Sequence, residues 1–193
     1  MLKIGITGGI GSGKSVVAAI LRQLGYPVYD SDSRAKQLTN THPDIKRLLT
    51  DAFGTQIYSG NLPDRQCLSR LIFSSDRNRD IVNGIIHPIV AQDFNQWAIS
   101  QKVPMVFLES AILMEFGFVH YMDKTVLVTA PVNLRIQRVR QRSHLAESEI
   151  RQRMQSQLSD EQLTPKVDFV IQNDEQHLLL PQIQKLLLYL SVL

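Results

Sequence analysis

A glycine-rich segment near the start of the chain constrains the fold more than any other feature. Gly8–Ser15 reads GGIGSGKS and satisfies the pattern G-x-x-x-x-G-K-[ST] at every fixed position. The apolar run Leu2–Thr7 precedes it and predicts a buried strand. Lys14–Leu24 follows with apolar residues at the spacing of one helix face. Glycines let consecutive backbone N–H groups turn inward as an anion nest at a helix N-terminus, so the segment predicts a phosphate loop that binds a nucleoside triphosphate.

Two side chains of the loop carry its predicted chemistry. Lys14 is expected to reach the β- and γ-phosphates, and the Ser15 hydroxyl is suited to bind Mg²⁺. A phosphate loop alone does not distinguish kinases, GTPases and ATP-driven machines. The chain has no Asn-Lys-x-Asp guanine motif, and its D-x-x-G match at Asp51–Gly54 follows polar helical sequence, so we interpret that match as a helix end. These observations favour a small-molecule kinase.

The other apolar segments predict an α/β fold with a mostly parallel sheet. Four further strands are predicted, at Pro27–Tyr29, Pro104–Glu109, Lys124–Thr129 and Val167–Ile171. Helical sequence runs from Ser31 to about Gln101, broken near Pro43, Gly54–Pro63 and His87-Pro88, and again over 131–142, 146–162 and 175–192. Strands that alternate with helices indicate a parallel sheet with helices on both faces. We interpret the long helical stretch between the second and third strands as a small subdomain over the sheet's C-terminal edge, where ligands bind in such folds.

Composition excludes several other classes of protein. The chain has 193 residues, of which 44% are hydrophobic and 20% charged, as in an ordinary globular protein. A net charge of +3 is too weak to indicate a dedicated nucleic-acid binder, and one cysteine excludes an internal disulfide. No stretch approaches the ~18–20 apolar residues of a membrane helix, and no signal-peptide pattern is present. We therefore expect a soluble, cytoplasmic protein with no nucleic-acid or membrane partner.

An acidic pair follows the second predicted strand, in Asp30-Ser31-Asp32. A carboxylate at this position can accept the proton of an acceptor hydroxyl or hold that hydroxyl in line with the γ-phosphate. The alternative is that one aspartate caps the helix that begins near Ser33. We predict that Asp32 is catalytic and leave Asp30 open as a cap or supporting group.

Arginines cluster in the helix predicted after the fourth strand. Arg135, Arg138 and Arg142 fall at i, i+3 and i+7, on one face, whereas Arg140 lies off that face. The planar guanidinium suits phosphate oxygens, and a mobile helical hairpin could close these groups over ATP. Two alternatives remain open: a solvated basic face, or contacts to an RNA backbone.

Three further residues have both a functional and an ordinary interpretation. Glu109 and Glu115 flank the end of the third strand, where an acid beside the loop can hold water on Mg²⁺; a surface carboxylate is the alternative. His87, before Pro88, is either a substrate contact or part of a helix end without chemistry.

Several blocks together resemble the dephospho-CoA kinase family. Ile6–Ser15 is similar to that family's phosphate loop, and Leu24-Gly25 through Asp32 is similar to its D-x-D segment. The similarity continues in order along nearly the whole chain, through Gly60–Arg65, Leu68, Phe73, Arg79, His87-Pro88, Thr129–Pro131, Arg138, Arg142, Arg153-Met154, Gln157, Asp168–Ile171 and Asn173.

The resemblance implies ATP-dependent phosphorylation of the ribose 3′-hydroxyl of dephospho-CoA, with Mg²⁺ as cofactor, as the last step of coenzyme A synthesis. It implies one P-loop kinase domain with a parallel five-stranded sheet flanked by helices. The core would comprise residues 1–30, 103–131 and 166–193, with an inserted helical CoA-binding subdomain at about 31–102 and a helical lid at about 132–165.

The resemblance also implies roles for individual residues. Asp32 would be the base, Lys14 the phosphate clamp and Ser15 the Mg²⁺ ligand. Arg138 and Arg142 would be lid cations in catalysis, and Asp32 and His87 would contact the substrate. The implied ATP-binding residues are Gly11, Ser12, Gly13, Lys14, Ser15, Val16 and, in an adenine-side loop, Asn173.

The chain departs from the family pattern at four places, which are Val16, Ala111–Glu115, Ser143 and Asp174-Glu175. Two other functions share the same core. One is a kinase that acts on a nucleoside monophosphate or a shikimate-like alcohol, which the helices around His87-Pro88 disfavour. The other is a regulatory nucleotide-binding protein without small-molecule turnover, which Asp32 disfavours.

Overall fold

The computed structural model describes residues 1–60, 62–114, 117–143 and 145–192. These residues form two compact units. The first comprises Met1–Tyr29 and Gln101–Leu193, and the second comprises Asp30–Ser100.

The first unit is built on a five-stranded sheet. Its strands are β1 (Leu2–Thr7), β2 (Val28–Asp30), β5 (Met105–Glu109), β6 (Lys124–Thr129) and β7 (Phe169–Gln172). The order is β2-β5-β1-β6-β7, and β1 pairs in parallel with both β5 and β6. In this register Ile6 lies opposite Glu109 on one side and Val126 on the other, so the strands on both sides of β1 end beside its carboxyl end. The predicted parallel five-stranded sheet is confirmed.

Helices cover both faces of this sheet. They are α1 (Lys14–Gln23), α6 (Val132–Ser143), α7 (Glu147–Gln155), α8 (Asp160–Leu163) and α9 (Leu179–Ser191). Ile4 and Ile6 of β1 pack with Val17 of α1 and Ile183 of α9, and all four are fully buried. Burial on both faces explains why the strands read as continuous apolar runs and do not alternate with polar residues.

The second unit is mainly helical. It contains α2 (Ser31–Thr41), α3 (Pro43–Phe53), α4 (Arg65–Ser74), α5 (Asp76–Ser100) and a short antiparallel ribbon of β3 (Tyr58–Ser59) and β4 (Leu62–Pro63). Helix α3 ends at Phe53 with Gly54 as its C-cap, which confirms that the Asp51–Gly54 segment is a helix end. Arg34 of α2 donates two hydrogen bonds, of 2.6 and 2.7 Å, to the carboxylate of Asp93 in α5.

The predicted helix break at His87-Pro88 is wrong, because α5 continues through Pro88. A proline inside a helix removes one hydrogen bond and costs about 3 kcal/mol. Residues on both sides of Pro88 are buried while α5 packs against α2, α3 and α4; these residues are Val82, Val90, Ala91, Phe94 and Ala98. Full burial of one such large side chain contributes about 1.5–3 kcal/mol, so this packing outweighs the proline penalty.

Two helix boundaries also differ from the prediction. The segment 146–162 forms two helices, because Ser159 caps α8 in a reciprocal capping box with Gln162 and so starts a new helix. The last helix begins at Leu179 and not near 175, because the Asp174 carboxylate accepts hydrogen bonds from the backbone N–H groups of Gln176 and His177 and holds them in a turn. Within the described ranges, no helix has the length and apolar character needed to cross a membrane.

Candidate nucleotide-binding site

The loop between β1 and α1 has the geometry of an anion nest. Gly13 is the N-cap of α1, with a left-handed φ of 94°, and Gly11 has a φ of 80°. Val16 N–H and Val17 N–H both donate to the Gly13 carbonyl, so the helix starts directly at the loop. The N-terminal dipole of α1 therefore lies at the place where a phosphate would bind.

Asn173 holds the loop from the end of β7. Its side-chain Nδ2 donates a 2.8 Å hydrogen bond to the Ser12 carbonyl, and its backbone N–H donates to the Thr129 carbonyl at 2.8 Å. A Cβ atom on Gly13 would lie only 1.9 Å from Asn173 Nδ2. Gly13 is therefore required both by its backbone angle and by the approach of Asn173.

Lys14 folds back over the loop that precedes it. Its Nζ donates to the Gly8 carbonyl at 2.7 Å and lies 3.5 Å from the Gly9 carbonyl, and the side chain is buried. The ammonium group is thus fixed beside the nest, where its charge adds to the dipole of α1.

Ser15 and Glu109 bring two oxygen ligands together at the same edge of the sheet. Ser15 Oγ donates to Glu109 Oε1 at 2.7 Å. Glu109 is the last residue of β5 and is 8% exposed, so its carboxylate faces the loop and not the solvent. A hydroxyl and a carboxylate are the hard oxygen groups that Mg²⁺ prefers, so these residues fit a magnesium ion. Glu115, the other predicted acid, lies outside the described residues.

Three buried polar atoms around the loop have no hydrogen-bond partner within the described part of the chain. They are Thr7 Oγ1, Ser12 Oγ and Arg138 Nη1. Buried polar groups are nearly always paired, so unpaired ones beside an anion nest fit a polar ligand that supplies the missing contacts.

The three arginines predicted on one face of α6 have different surroundings. Arg138 Nη2 lies 3.5 Å from Asn173 Oδ1 and 3.2 Å from Glu175 Oε1, which places its guanidinium beside the loop. Arg142 is exposed. Arg135 is 7% exposed and donates from Nε to the Ile10 carbonyl at 3.0 Å. Sequence reasoning grouped Arg135 with Arg138 and Arg142 on one helix face and missed this contact with the loop backbone.

The remaining predicted residues lie in the helical unit. The Asp30 carboxylate accepts from the backbone N–H of Ser33 at 2.9 Å and from its hydroxyl at 2.7 Å, which confirms Asp30 as the cap of α2. Asp32 is exposed in the first turn of α2. His87 lies within α5, and burial lowers the pKa of its imidazole to about 4. The described parts of the first unit thus bring together Lys14, Ser15, Glu109, Arg138 and Asn173.

A parallel sheet whose first strand leads through this loop into a helix defines the P-loop NTPase class of proteins, and the similar solved structures include P-loop kinases. Shikimate kinase from Acinetobacter baumannii in complex with shikimate shares the fold, with a TM-score of 0.55 and 18% identity over 99% of this chain and 94% of that chain. The crystal structure of TT1252 from Thermus thermophilus has a TM-score of 0.85 and 35% identity over 97% of this chain and 96% of that chain.

Sequence comparison narrows the class to one family. The family model described as dephospho-CoA kinase matches residues 2–178. A relative named dephospho-CoA kinase from Bacteroides fragilis is 43% identical over 190 residues, which is 98% of this chain and 93% of the relative. The chain belongs to the dephospho-CoA kinase family, and the resemblance noted from its motifs is confirmed.

Proposed function

We propose that this chain transfers the γ-phosphoryl group of ATP to the ribose 3′-hydroxyl of dephospho-CoA, giving coenzyme A and ADP. Family membership supports the reaction, since this family carries out the final step of coenzyme A synthesis with ATP as donor. The observation that carries the proposal is the loop itself, with Lys14 folded over the Gly8 carbonyl and Ser15 bound to Glu109.

The backbone of residues 11–16 would bind the ATP phosphates. Lys14 would neutralise charge that develops on the β- and γ-phosphates as the bond to ADP breaks. Arg138, already beside Asn173, and Arg142, exposed on the same helix, would supply further positive charge from the lid, residues 132–165. Asn173 would hold the loop in register from the adenine side.

Ser15 and Glu109 would hold a magnesium ion, and the two residues would act on it differently. Ser15 Oγ would bind the ion directly. The Glu109 carboxylate would accept a hydrogen bond from the Ser15 hydroxyl and so orient it, or would hold a water on the ion. When bound, Mg²⁺ neutralises phosphate charge and orients the γ-phosphoryl group.

The helical unit would supply the acceptor side. Asp32 would accept the proton of the 3′-hydroxyl as the oxygen attacks the γ-phosphorus and the bond from that phosphorus to the ADP oxygen breaks. Its carboxylate is exposed and follows β2 by two residues, which supports this role. His87 would contact the substrate as a neutral imidazole at physiological pH, since burial lowers its pKa to about 4.

The direct test incubates the purified chain with Mg²⁺-ATP and dephospho-CoA and follows ADP together with the phosphorylated product. Lys14→Ala is the control, because it leaves the fold of the acceptor unit untouched while removing the phosphate clamp. We expect one ADP per 3′-phosphorylated product, lost in the variant. Phosphorylation of shikimate or a nucleoside monophosphate, with dephospho-CoA untouched, would overturn the assigned acceptor. ATP binding without any acceptor turnover would overturn the assignment as an enzyme.

A further inference from the structure

One residue, Ile10, ties the phosphate loop to the helices that follow β6. Its backbone N–H donates to Gln157 Oε1 at 2.8 Å, and its carbonyl accepts from Arg135 Nε at 3.0 Å. The Ile10 side chain also packs against a buried cluster of α6 and α7, formed by Ile136, Val139 and Ile150. Both backbone polar groups and the side chain of one loop residue are therefore held by the same helical segment.

The Arg135 side chain is buried and paired with an acidic residue, which fixes its position beside the loop. The residue is 7% exposed, and Nη1 lies 3.4 Å from Asp160 Oδ1 in α8. Burial raises the pKa of the Asp160 carboxyl, and the positive charges of Arg135 and Lys14 oppose that rise. A buried arginine is costly unless its charge is paired, and Asp160 provides that pairing. Arg135 therefore reaches the loop as a fixed donor and not as a mobile surface side chain.

Two glycines of the loop leave room for Arg135. A Cβ atom on Gly9 would lie 1.8 Å from Arg135 Nη2, and one on Gly11 would lie 2.5 Å from the Arg135 carbonyl oxygen. Both glycines stand at positions that the general P-loop pattern leaves open to any residue. Gly9 does not have a left-handed φ, so its lack of a side chain matches the space that the guanidinium fills. Gly9 is thus explained by the Arg135 guanidinium, whereas Gly11 is required by its left-handed φ of 80° and by the backbone of α6 at Arg135.

The planar peptide bond converts this contact into an effect on phosphate binding. In a trans peptide the carbonyl of one residue and the N–H of the next point in opposite directions. Arg135 draws the Ile10 carbonyl outward toward α6, so the Gly11 N–H is turned to the opposite side. Asn173 acts in the same way two peptides further along, since it binds the Ser12 carbonyl and so orients the Gly13 N–H. Two donors of the nest, the N–H groups of Gly11 and Gly13, are therefore each oriented by a side chain bound to the preceding carbonyl.

We infer that Arg135 is a positioning residue of the phosphate loop, which aims the Gly11 N–H at the bound nucleotide through the Ile10–Gly11 peptide. Arg135 does this without contacting a phosphate, in contrast to the roles proposed for Arg138 and Arg142. The inference rests on the proposed function only in that the loop binds ATP.

The test measures ATP binding by titration calorimetry in a double-mutant cycle of Arg135→Ala and Gly9→Ala. Without Arg135, the Gly11 N–H is no longer aimed at the nucleotide, so its hydrogen bond to a charged phosphate should be lost. Loss of one such bond corresponds to a factor of roughly ten or more, so Arg135→Ala should raise the Kd for ATP by about that factor. Gly9→Ala should weaken ATP binding in the wild-type background, where its methyl group displaces the guanidinium. It should weaken binding less in the Arg135→Ala background, where that space is empty. Arg140→Ala removes an exposed arginine from the same helix and should leave the Kd unchanged.

Three outcomes would overturn the inference. They are an unchanged Kd in folded Arg135→Ala, strictly additive effects in the cycle, or an equal loss in Arg140→Ala. If Arg135→Ala does not fold, Arg135→Lys decides, because lysine keeps the charge but carries its donors on one nitrogen, which cannot replace the separate Nε and Nη1 contacts to Ile10 and Asp160. A lowered Tm with wild-type ATP affinity in Arg135→Lys would show a purely structural role. Turnover of dephospho-CoA by the wild-type protein is measured separately. If the wild-type protein does not phosphorylate dephospho-CoA, the assigned acceptor is wrong, but the ATP-binding cycle still tests the role of Arg135.

Discussion

Ser15 Oγ donates a 2.7 Å hydrogen bond to Oε1 of Glu109, although 94 residues separate the two in sequence. The contact exists because β5 runs parallel to β1, so the last residue of β5 lies beside the loop that leaves β1. A hydroxyl and a carboxylate converge there with the ammonium group of Lys14 nearby on the same loop. Under the proposed function, the oxygen-rich pair would bind the cation and the positively charged loop would bind the phosphates.

Glu109→Gln tests the cation position. The amide keeps the size of the side chain and an oxygen for Ser15 but removes the charge. Loss of such an outer partner weakens metal binding about 10- to 100-fold, so the Mg²⁺ concentration for half-maximal turnover should rise by that factor. Asp51→Asn, which removes one exposed carboxylate from the end of α3, is the matched control. An unchanged Mg²⁺ requirement in Glu109→Gln would mean that Glu109 only orients Ser15.

Asp30→Asn and Asp32→Asn form a matched pair two residues apart. Asn caps a helix about as well as Asp, so Asp30→Asn should keep both stability and turnover close to wild type. Removal of a general base lowers kcat about 10²- to 10⁴-fold, so Asp32→Asn should lose that much in kcat with an unchanged Kd for ATP. Steady-state kinetics and ATP titration of both variants check this. Equal turnover in the two variants would remove Asp32 from the mechanism.

Gly13→Ala and Gly25→Ala separate backbone strain from steric contact. Both glycines have a left-handed φ, of 94° and 88°, but a Cβ on Gly25 meets nothing within 4 Å. Gly25→Ala should therefore lower the free energy of unfolding by only about 1–2 kcal/mol, with ATP affinity retained. Gly13→Ala should lose more, because its methyl group also displaces Asn173 from the Ser12 carbonyl. Denaturant unfolding and ATP titration measure the two effects, and equal losses in both variants would argue against the Asn173 contact.

The parts of the fold that sequence predicts well are those with local signals. The strand, loop and helix of residues 2–24 follow from a fixed motif between an apolar run and an amphipathic helix, and each element formed as predicted. The continuity of α5 could not be predicted, because it depends on packing against three other helices and not on the sequence around Pro88. The division of 146–162 had a local signal, the capping box of Ser159 and Gln162, which helical periodicity concealed.

Among the site residues too, some could be predicted from local sequence and others depend on partners far away in the chain. Lys14 and Ser15 are readable from the motif, and Glu109 from its place at a strand end. Arg135 and Arg138 are indistinguishable by spacing, since both lie on the predicted face of one helix. Their difference arises from what lies opposite each of them: the Ile10 carbonyl, 125 residues away, for Arg135, and Asn173 for Arg138. Only the folded chain brings those partners into place.

His87 should make the stability of the protein depend on pH. Burial lowers its pKa from the ordinary 6.5 to about 4, so between these values the unfolded chain binds a proton that the folded chain excludes. The free energy of unfolding should therefore fall as the pH drops through this window, by about 2 kcal/mol between pH 7 and pH 5 from this residue alone. Urea unfolding followed by the fluorescence of Trp97, the single tryptophan and a residue of α5, measures it. His87→Gln should flatten the dependence, while His120→Gln, at an exposed position, controls for the loss of one imidazole. Parallel pH profiles for wild type and His87→Gln would contradict the assignment, whatever the absolute stability of the variant.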